Sequence, residues 1–135
     1  MYNRYKNSAM QVLPINRQIA TVLSDISKQL QKSDELFRSY NVAESIEIGE
    51  KAVYKSIALY DIFEKFIEQS LNQPNVNDDV KKGLMDLKAH FEILQKTIQR
   101  YVIGRNPKLL EQITQSLSTM EKFWNAVKMP DQHPV

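Results

Sequence analysis

The sequence predicts an all-α protein, an antiparallel up-down four-helix bundle with a short N-terminal arm. Apolar residues recur every three or four positions over four long segments, as expected for helices that bury one face. The five prolines fall at intervals between or beyond these segments, where they punctuate the chain. The connections are short, and short connections place consecutive helices side by side in opposite directions.

The first helix is predicted over residues 15–37. Pro14 suits its first turn, where a missing backbone N–H costs nothing. The apolar residues that follow on one face are Ile15, Ile19, Val22, Ile26, Leu30 and Phe37, flanked by Leu23. Residues 1–13 show no sustained period, so they are expected to form an arm with at most one helical turn.

The second helix is predicted over residues 42–72 and carries two apolar series. The first series is Ile46, Val53, Ile57, Tyr60, Phe63, Ile67 and Leu71, and the second is Ile48, Ala52, Leu59, Ile62 and Phe66. Because two apolar stripes must be covered from two sides, we expect this helix to be central. Asn41 and Glu44 have the spacing of a capping box at its start, and Pro74 prevents its continuation.

The third helix is predicted over residues 78–103, with Asn77 or Asp78 as its cap. Gly104 is expected to supply the left-handed residue that commonly ends a helix. The core series of this helix is Val80, Leu84, Leu87, Phe91, Leu94, Ile98 and Tyr101.

The fourth helix is predicted over residues 107–128, where Asn106 and Pro107 have the N-cap and first-turn positions. Its buried residues are expected to be Leu110, Ile113, Leu117, Met120, Trp124 and Val127. The chain then divides into an arm over residues 1–13, a bundle over residues 14–129 and a polar, proline-containing, disordered tail over residues 130–135.

Composition argues against several classes of function. Eighteen Lys and Arg against sixteen Asp and Glu leave a net charge of +2, and the basic residues are scattered, so nucleic-acid binding is not expected. The absence of cysteine excludes disulfides and thiol chemistry. No run approaches the roughly 18 apolar residues of a membrane span, and residues 1–10 lack the apolar region of a signal peptide. We therefore expect a cytoplasmic protein without membrane insertion.

The chain offers no recognisable catalytic or metal-binding pattern. A di-iron centre in a helical bundle requires paired Glu-x-x-His segments. Neither His90 nor His133 stands three residues after a glutamate, and His90 falls outside the core series. No Gly-rich phosphate loop or serine–histidine–aspartate pattern is present. The sequence thus predicts neither an enzyme nor a cofactor or metal site.

Apolar residues remain outside the four core series, and they suggest a partner-binding groove. On the third helix, Met85, Ala89 and Ile93 are spaced by four residues, roughly opposite the core. The second series of the second helix can either pack between neighbouring helices or line the same groove. The predicted partner-binding residues are Tyr2, Tyr5 and Met10 of the arm, Ile48, Ala52, Leu59, Ile62 and Phe66 of the second helix, and Met85, Ala89 and Ile93 of the third.

Two interpretations of the arm remain open. It can be a frayed terminus, since chain ends are commonly poorly ordered. Alternatively, its two tyrosines and a methionine allow it to cover the apolar groove until a partner arrives.

The opening MYNRYKNSAMQVLPINRQIATVL resembles the start of the flagellin-specific secretion chaperones, the FliS family. Members begin with a tyrosine-containing arm, a proline that opens the first helix, and an Ile/Leu-rich helical run. NPKLLEQITQSLSTMEKFWNAV resembles the last helix of the family, with Trp124 as its tryptophan. Two positions depart from the family pattern: Leu13 replaces a small or hydroxyl residue, and Val22-Leu23-Ser24 stands where a Leu-Tyr pair is usual.

The resemblance implies a cytoplasmic chaperone of the bacterial flagellar export system. Such a protein binds the disordered C-terminal segment of flagellin, prevents premature polymerisation, and delivers flagellin to the export gate without ATP. The alternative is a helical adaptor or regulatory bundle that uses the same groove for another helical partner. That alternative includes self-association into a homodimer.

Overall fold

A computed structural model describes residues 14–126, and within that range every regular element is an α-helix. The helices are α1 (Ile15–Arg38), α2 (Val42–Leu71), α3 (Asp78–Gly104) and α4 (Pro107–Ala126). The prediction of an all-α four-helix bundle is confirmed, and each helix boundary inside the described range agrees with its predicted position to within one residue. The predicted arm, the end of α4 beyond residue 126 and the predicted tail lie outside the described residues. Between residues 14 and 126, no helix is both long and apolar enough to cross a membrane.

The four helices are not packed with equal tightness. α1 packs closely against α2 and α4, and α2 packs closely against α3. α3 and α4 also touch, but far less extensively than the other neighbouring pairs. The bundle is therefore built around the α1–α2 pair, and its most open side lies between α3 and α4.

The part of the core around the C-terminal end of α4 consists of aromatic side chains. Trp124 is buried and meets the ring of Phe63 edge-on at a centroid distance of 5.5 Å and that of Phe66 at 5.9 Å. Phe63 in turn lies 4.3 Å from the ring of Phe91. These are the tilted and edge-to-face geometries that aromatic pairs prefer. They connect α2, α3 and α4 across the interior.

The core face of α2 differs from both predicted series and runs between them. Its buried residues are Ser45, Gly49, Ala52, Ser56, Leu59, Phe63 and Ile67. They are spaced alternately by four and three residues, except for a final step of four, which is the spacing of a helix-packing seam. The first half of this seam consists of small residues, which allow the backbone of α2 to approach its neighbours closely. Ile46, which was predicted to lie in the core, is 46% exposed because Ser45 occupies the inward position.

Two of the predicted helix caps are confirmed. The Asn77 side chain accepts a hydrogen bond of 2.8 Å from the backbone N–H of Val80 at the start of α3. The Asn106 side chain accepts one of 3.0 Å from the N–H of Lys108 at the start of α4. Both bonds satisfy a backbone donor that the first helical turn leaves unpaired.

Three predicted helix ends are wrong in detail. Pro14 lies just before α1 rather than inside it, and its carbonyl accepts the N–H groups of Arg17 and Gln18. The Asn41 side chain makes no capping hydrogen bond, so no capping box forms at the start of α2. Gly104 stays helical, and Arg105 takes the left-handed conformation instead, with φ of 57°. The reason lies in the contacts of the Arg105 side chain, described below.

Candidate docking surface along the third helix

Beyond its first turn, where the predicted core residue Val80 is itself 48% exposed, α3 carries three large apolar side chains that are more than half exposed. They are Met85, Ile93 and Ile103. Since α2 and α4 cover only the inner part of this helix, these side chains point away from the core. We refer to them, with the grooves on either side of α3, as the α3 surface.

A groove of about 310 Å³ separates α2 from α3 near the end of α3. It is lined by Glu50, Val53, Tyr54, Gln99, Val102 and Ile103. Tyr54 is 68% exposed and Ile103 is 86% exposed, whereas Val53 and Val102 are half-buried and form part of its apolar wall. An isoleucine this exposed is a candidate contact residue, because burying it against a partner removes apolar area from water.

A second, more polar groove runs along the loosely packed α3–α4 side. Its lining residues are His90, Ile93, Leu94, Thr97, Gln112, Ile113, Gln115, Ser116, Thr119 and Met120. Leu94 and Ile113 are buried, and Ile93 is 63% exposed at the rim. None of the lining residues is an aspartate, glutamate, lysine or arginine.

The structure places the three predicted α3 residues on the outside of the bundle. Met85 and Ile93 are more than half exposed, and Ala89 between them is also exposed. Ile93 lines the α3–α4 groove. Their expected accessibility is thus confirmed, and their role in binding stays a prediction.

The expected accessibility of two predicted α2 residues is wrong. Ala52 is fully buried and Leu59 is 1% exposed, because both lie on the small-residue seam described above. Ile48 and Ile62 are half-buried. They stand seven residues on either side of Lys55, which forms an ion pair with Asp25 of α1 at 3.7 Å.

Because residues seven positions apart lie on the same face of a helix, the pairing of Lys55 with Asp25 places the second series of α2 on the side that faces α1. That side lies away from the α2–α3 groove. Phe66 is half-buried, and its ring lies 5.9 Å from that of Trp124. The second series and the Met85–Ile93 face therefore do not form one continuous groove. Of the two interpretations of α2, packing between neighbouring helices is the one that the structure supports. Tyr2, Tyr5 and Met10 lie outside the described residues.

Three residues of the α3 surface were not predicted from the sequence. Tyr54, Val102 and Ile103 belong to none of the predicted apolar series. A signal was present, since Tyr101, Val102 and Ile103 are consecutive apolar residues on a helix. Three successive residues of a helix point in directions about 100° apart, so all three cannot face one core.

Arg105 anchors the C-terminal end of α3, next to the groove residues Val102 and Ile103. Its Nη1 donates a hydrogen bond of 2.7 Å to Ser33 Oγ of α1, and its Nη2 donates one of 3.3 Å to the carbonyl of Ser45 of α2. Its Nε donates to the carbonyl of Val102, a groove residue, at 3.0 Å. The guanidinium also lies over the ring of Phe37 at 5.2 Å. Arg105 thereby fixes the last turn of α3 against both central helices.

Tyr101 extends this polar network to the surface of α1. Its hydroxyl donates a hydrogen bond of 2.8 Å to Asp34 Oδ1, and Asp34 Oδ2 pairs with Arg38 at 2.9 Å. Burial, followed by the hydrogen bond to Asp34 and the charge of that carboxylate, raises the pKa of Tyr101 to about 12. The hydroxyl therefore stays protonated and holds its hydrogen bond at neutral pH.

Over residues 14–126, no three His, Cys, Asp or Glu side chains come together as a potential metal site. The features that the described residues do bring together are apolar side chains and grooves, which suit recognition of another chain. No family model, curated protein or solved structure matches this chain.

Proposed function

We propose that this protein is a flagellar export chaperone that binds the C-terminal segment of flagellin along the α3 surface. The observation that carries the proposal is the set of exposed apolar side chains on the outer side of α3, of which Ile103 lies beside the α2–α3 groove and Ile93 beside the α3–α4 groove. The sequence resemblance at both ends of the chain supplies the identity of the partner.

The energetics of the surface suit a partner that is disordered when free. Such a segment gives up conformational entropy when it binds, and burial of apolar area at roughly 25 cal/mol per Å² offsets that loss. Tyr54 and Ile103 offer large exposed areas for this purpose, and Val53 and Val102 supply an apolar part of the groove wall. A flagellin segment held in this way is withheld from contacts with other flagellin molecules, which would prevent premature polymerisation.

Co-expression with the cognate flagellin tests the proposal. We expect a complex in size-exclusion chromatography with full-length flagellin and none with flagellin that lacks its C-terminal segment. Ile103→Asp should weaken the complex, because it places a charge where apolar area would be buried. Ser118→Asp, an exposed change on α4 outside both grooves, is the matched control. Failure to form the complex, or equal binding of truncated flagellin, would contradict the proposal.

A helical adaptor that self-associates is the second candidate, and the same two residues favour it. Tyr54 and Ile103 protrude together beside one groove, so two copies could bury them against each other. Sedimentation velocity without any partner separates the candidates. An adaptor of this kind predicts a dimer that Ile103→Asp dissociates, whereas the chaperone predicts a flagellin complex that requires the C-terminal segment.

A further inference from the structure

The α3–α4 groove is distinguished by its lack of charge. The α4 residues that line it lie within the stretch 112–120, which contains no charged residue, in a chain where 25% of residues are charged. The polar side chains of that stretch that line the groove are amides and hydroxyls, namely Gln112, Gln115, Ser116 and Thr119. On the α3 wall, Thr97 and His90 are the polar lining residues.

A helix face that only meets water has no need of this composition. Lys and Glu are good helix formers and are common on solvated faces, whereas Ser and Thr favour the helix less. Within residues 14–126, the side chains of Gln112, Gln115, Ser116 and Thr119 hold no hydrogen bond to another residue. Their donors and acceptors are therefore available to a ligand along one continuous wall.

We infer that the α3–α4 groove binds an extended peptide segment made of uncharged polar and small apolar residues. An extended backbone presents unpaired N–H and C=O groups, and the glutamine amides and the hydroxyls of the wall can both donate to and accept from such groups. A helical segment already pairs its backbone internally and would not use them. The buried Leu94 and Ile113 form an apolar floor for small side chains of the segment.

The same chemistry disfavours charged ligands. The lining offers no fixed charge to pair with a carboxylate, phosphate or ammonium group, and a charge that is desolvated without a partner is costly. The inference deepens the proposed function and rests on it for the source of the segment. The α2–α3 groove would then take a more apolar part of the same partner.

A peptide array probed with the full chain tests this inference. One set consists of overlapping peptides from the C-terminal segment of flagellin. The other consists of designed peptides of equal length, whose polar positions are either uncharged (Ser, Asn and Gln) or charged (Lys and Glu). We expect capture of uncharged peptides, with affinity nearly unchanged between low and high salt, because no ion pair contributes. Ser116→Asp and Gln112→Glu, two groove variants, should each weaken capture by about tenfold, since a charge would be desolvated beneath the bound segment. Ser118→Asp, on the same helix outside the groove, should leave it unchanged.

Capture of charged peptides, capture of no peptide, or equal binding by the groove variants and the Ser118→Asp control would overturn the inference. Gln112 is exposed, so Gln112→Glu keeps the test valid if Ser116→Asp fails to fold. The two proposals fail differently. A flagellin complex that tolerates both groove variants would leave the chaperone function standing and remove the groove from it. Capture of designed uncharged peptides but none from flagellin would support the groove and contradict the proposed partner.

Discussion

Ser33 of α1 and Ser45 of α2 each donate a hydrogen bond from the hydroxyl to the backbone carbonyl of the other, both at 2.6 Å. Both residues are fully buried. Ser33 Oγ also accepts the hydrogen bond from Arg105 Nη1 at 2.7 Å. Hydrogen bonds therefore join α1, α2 and the C-terminal end of α3 at this junction. The junction at this end of the bundle is therefore specified by hydrogen bonds, whereas the opposite half is held by the aromatic cluster around Trp124.

Gly49→Ala should destabilise the protein, because this glycine lies against the junction. A Cβ at this position would stand 3.1 Å from Val102 Cγ1 and 3.2 Å from both Arg105 Nη2 and Ser33 Oγ. Two of these atoms belong to the end of α3 and the third to α1, and Arg105 and Ser33 are held in place by the hydrogen bonds of the junction, so the neighbours cannot simply move away. The crowding outweighs the gain in helix propensity that alanine also brings at this position, and we expect a net loss of about 1 kcal/mol in the free energy of unfolding. Denaturant unfolding followed by the fluorescence of Trp124, the single tryptophan, provides the measurement.

The matched control is Gly83→Ala on α3. A Cβ at Gly83 would meet nothing within 4 Å. Only the higher helix propensity of alanine then acts, and it should stabilise the protein by about 0.5–1 kcal/mol. Equal effects of the two substitutions would show that the space around Gly49 is not restrictive.

Tyr40→Gly and Arg105→Gly should shift stability in opposite directions. In the described range these are the two non-glycine residues with positive φ, at 65° and 57°. Glycine adopts this conformation without strain, and Tyr40 is 91% exposed, so its replacement should stabilise by about 0.5–1 kcal/mol. At Arg105 the same relief is outweighed by the loss of hydrogen bonds to Ser33 and Ser45, and we expect a net loss of about 1–3 kcal/mol. Thermal melts of the two variants against the parent chain decide this, and a stabilised Arg105→Gly would refute the assigned role of the guanidinium.

The stability of the protein should fall as the pH rises from about 10 to 12 through Tyr101. Its pKa is raised from 10.0 to about 12 in the folded state, so the folded protein retains a proton that the unfolded chain releases. The contribution of Tyr101 to stability is complete below pH 10 and is lost as the pH rises through the folded pKa. The reason is that the free energy of unfolding falls with rising pH wherever the folded state binds more protons than the unfolded state. Tyr101→Phe should flatten this part of the pH–stability curve. If the variant's curve keeps the same slope, the loss of stability at high pH comes from other titratable groups.

Ile93→Asp and Ile98→Asp should separate the docking surface from the core. Ile93 is 63% exposed, so its substitution should weaken partner binding and change the melting temperature little. Ile98 is fully buried, so the same substitution should unfold the bundle by burying an unpaired charge. Deletion of residues 1–10 is expected to alter partner affinity more than the melting temperature. If Ile93→Asp melts the protein as severely as Ile98→Asp does, its side chain belongs to the core.

Much of the architecture follows from the sequence alone. The core faces of α1 and α4 follow large apolar residues at helical spacing, and Leu110, Ile113, Leu117, Met120 and Trp124 are buried as predicted. The starts of α3 and α4 follow from local chemistry, because Asn77 and Asn106 bond to backbone groups only two or three residues away. Interactions of such short range can be predicted without knowledge of the tertiary structure.

Tertiary structure alone decided which face of α2 is core. Its seam begins with Ser45, Gly49, Ala52 and Ser56, whose small side chains carry little hydrophobic signal. They are inside because they allow close helix approach and bond across it, as Ser45 does with Ser33, and both properties depend on the partner helix. For the same reason the left-handed residue after α3 is Arg105 rather than Gly104. The guanidinium donates partly buried hydrogen bonds to Ser33 and Ser45, residues 72 and 60 positions away along the chain, and these outweigh a strain of about 1–2 kcal/mol in its backbone.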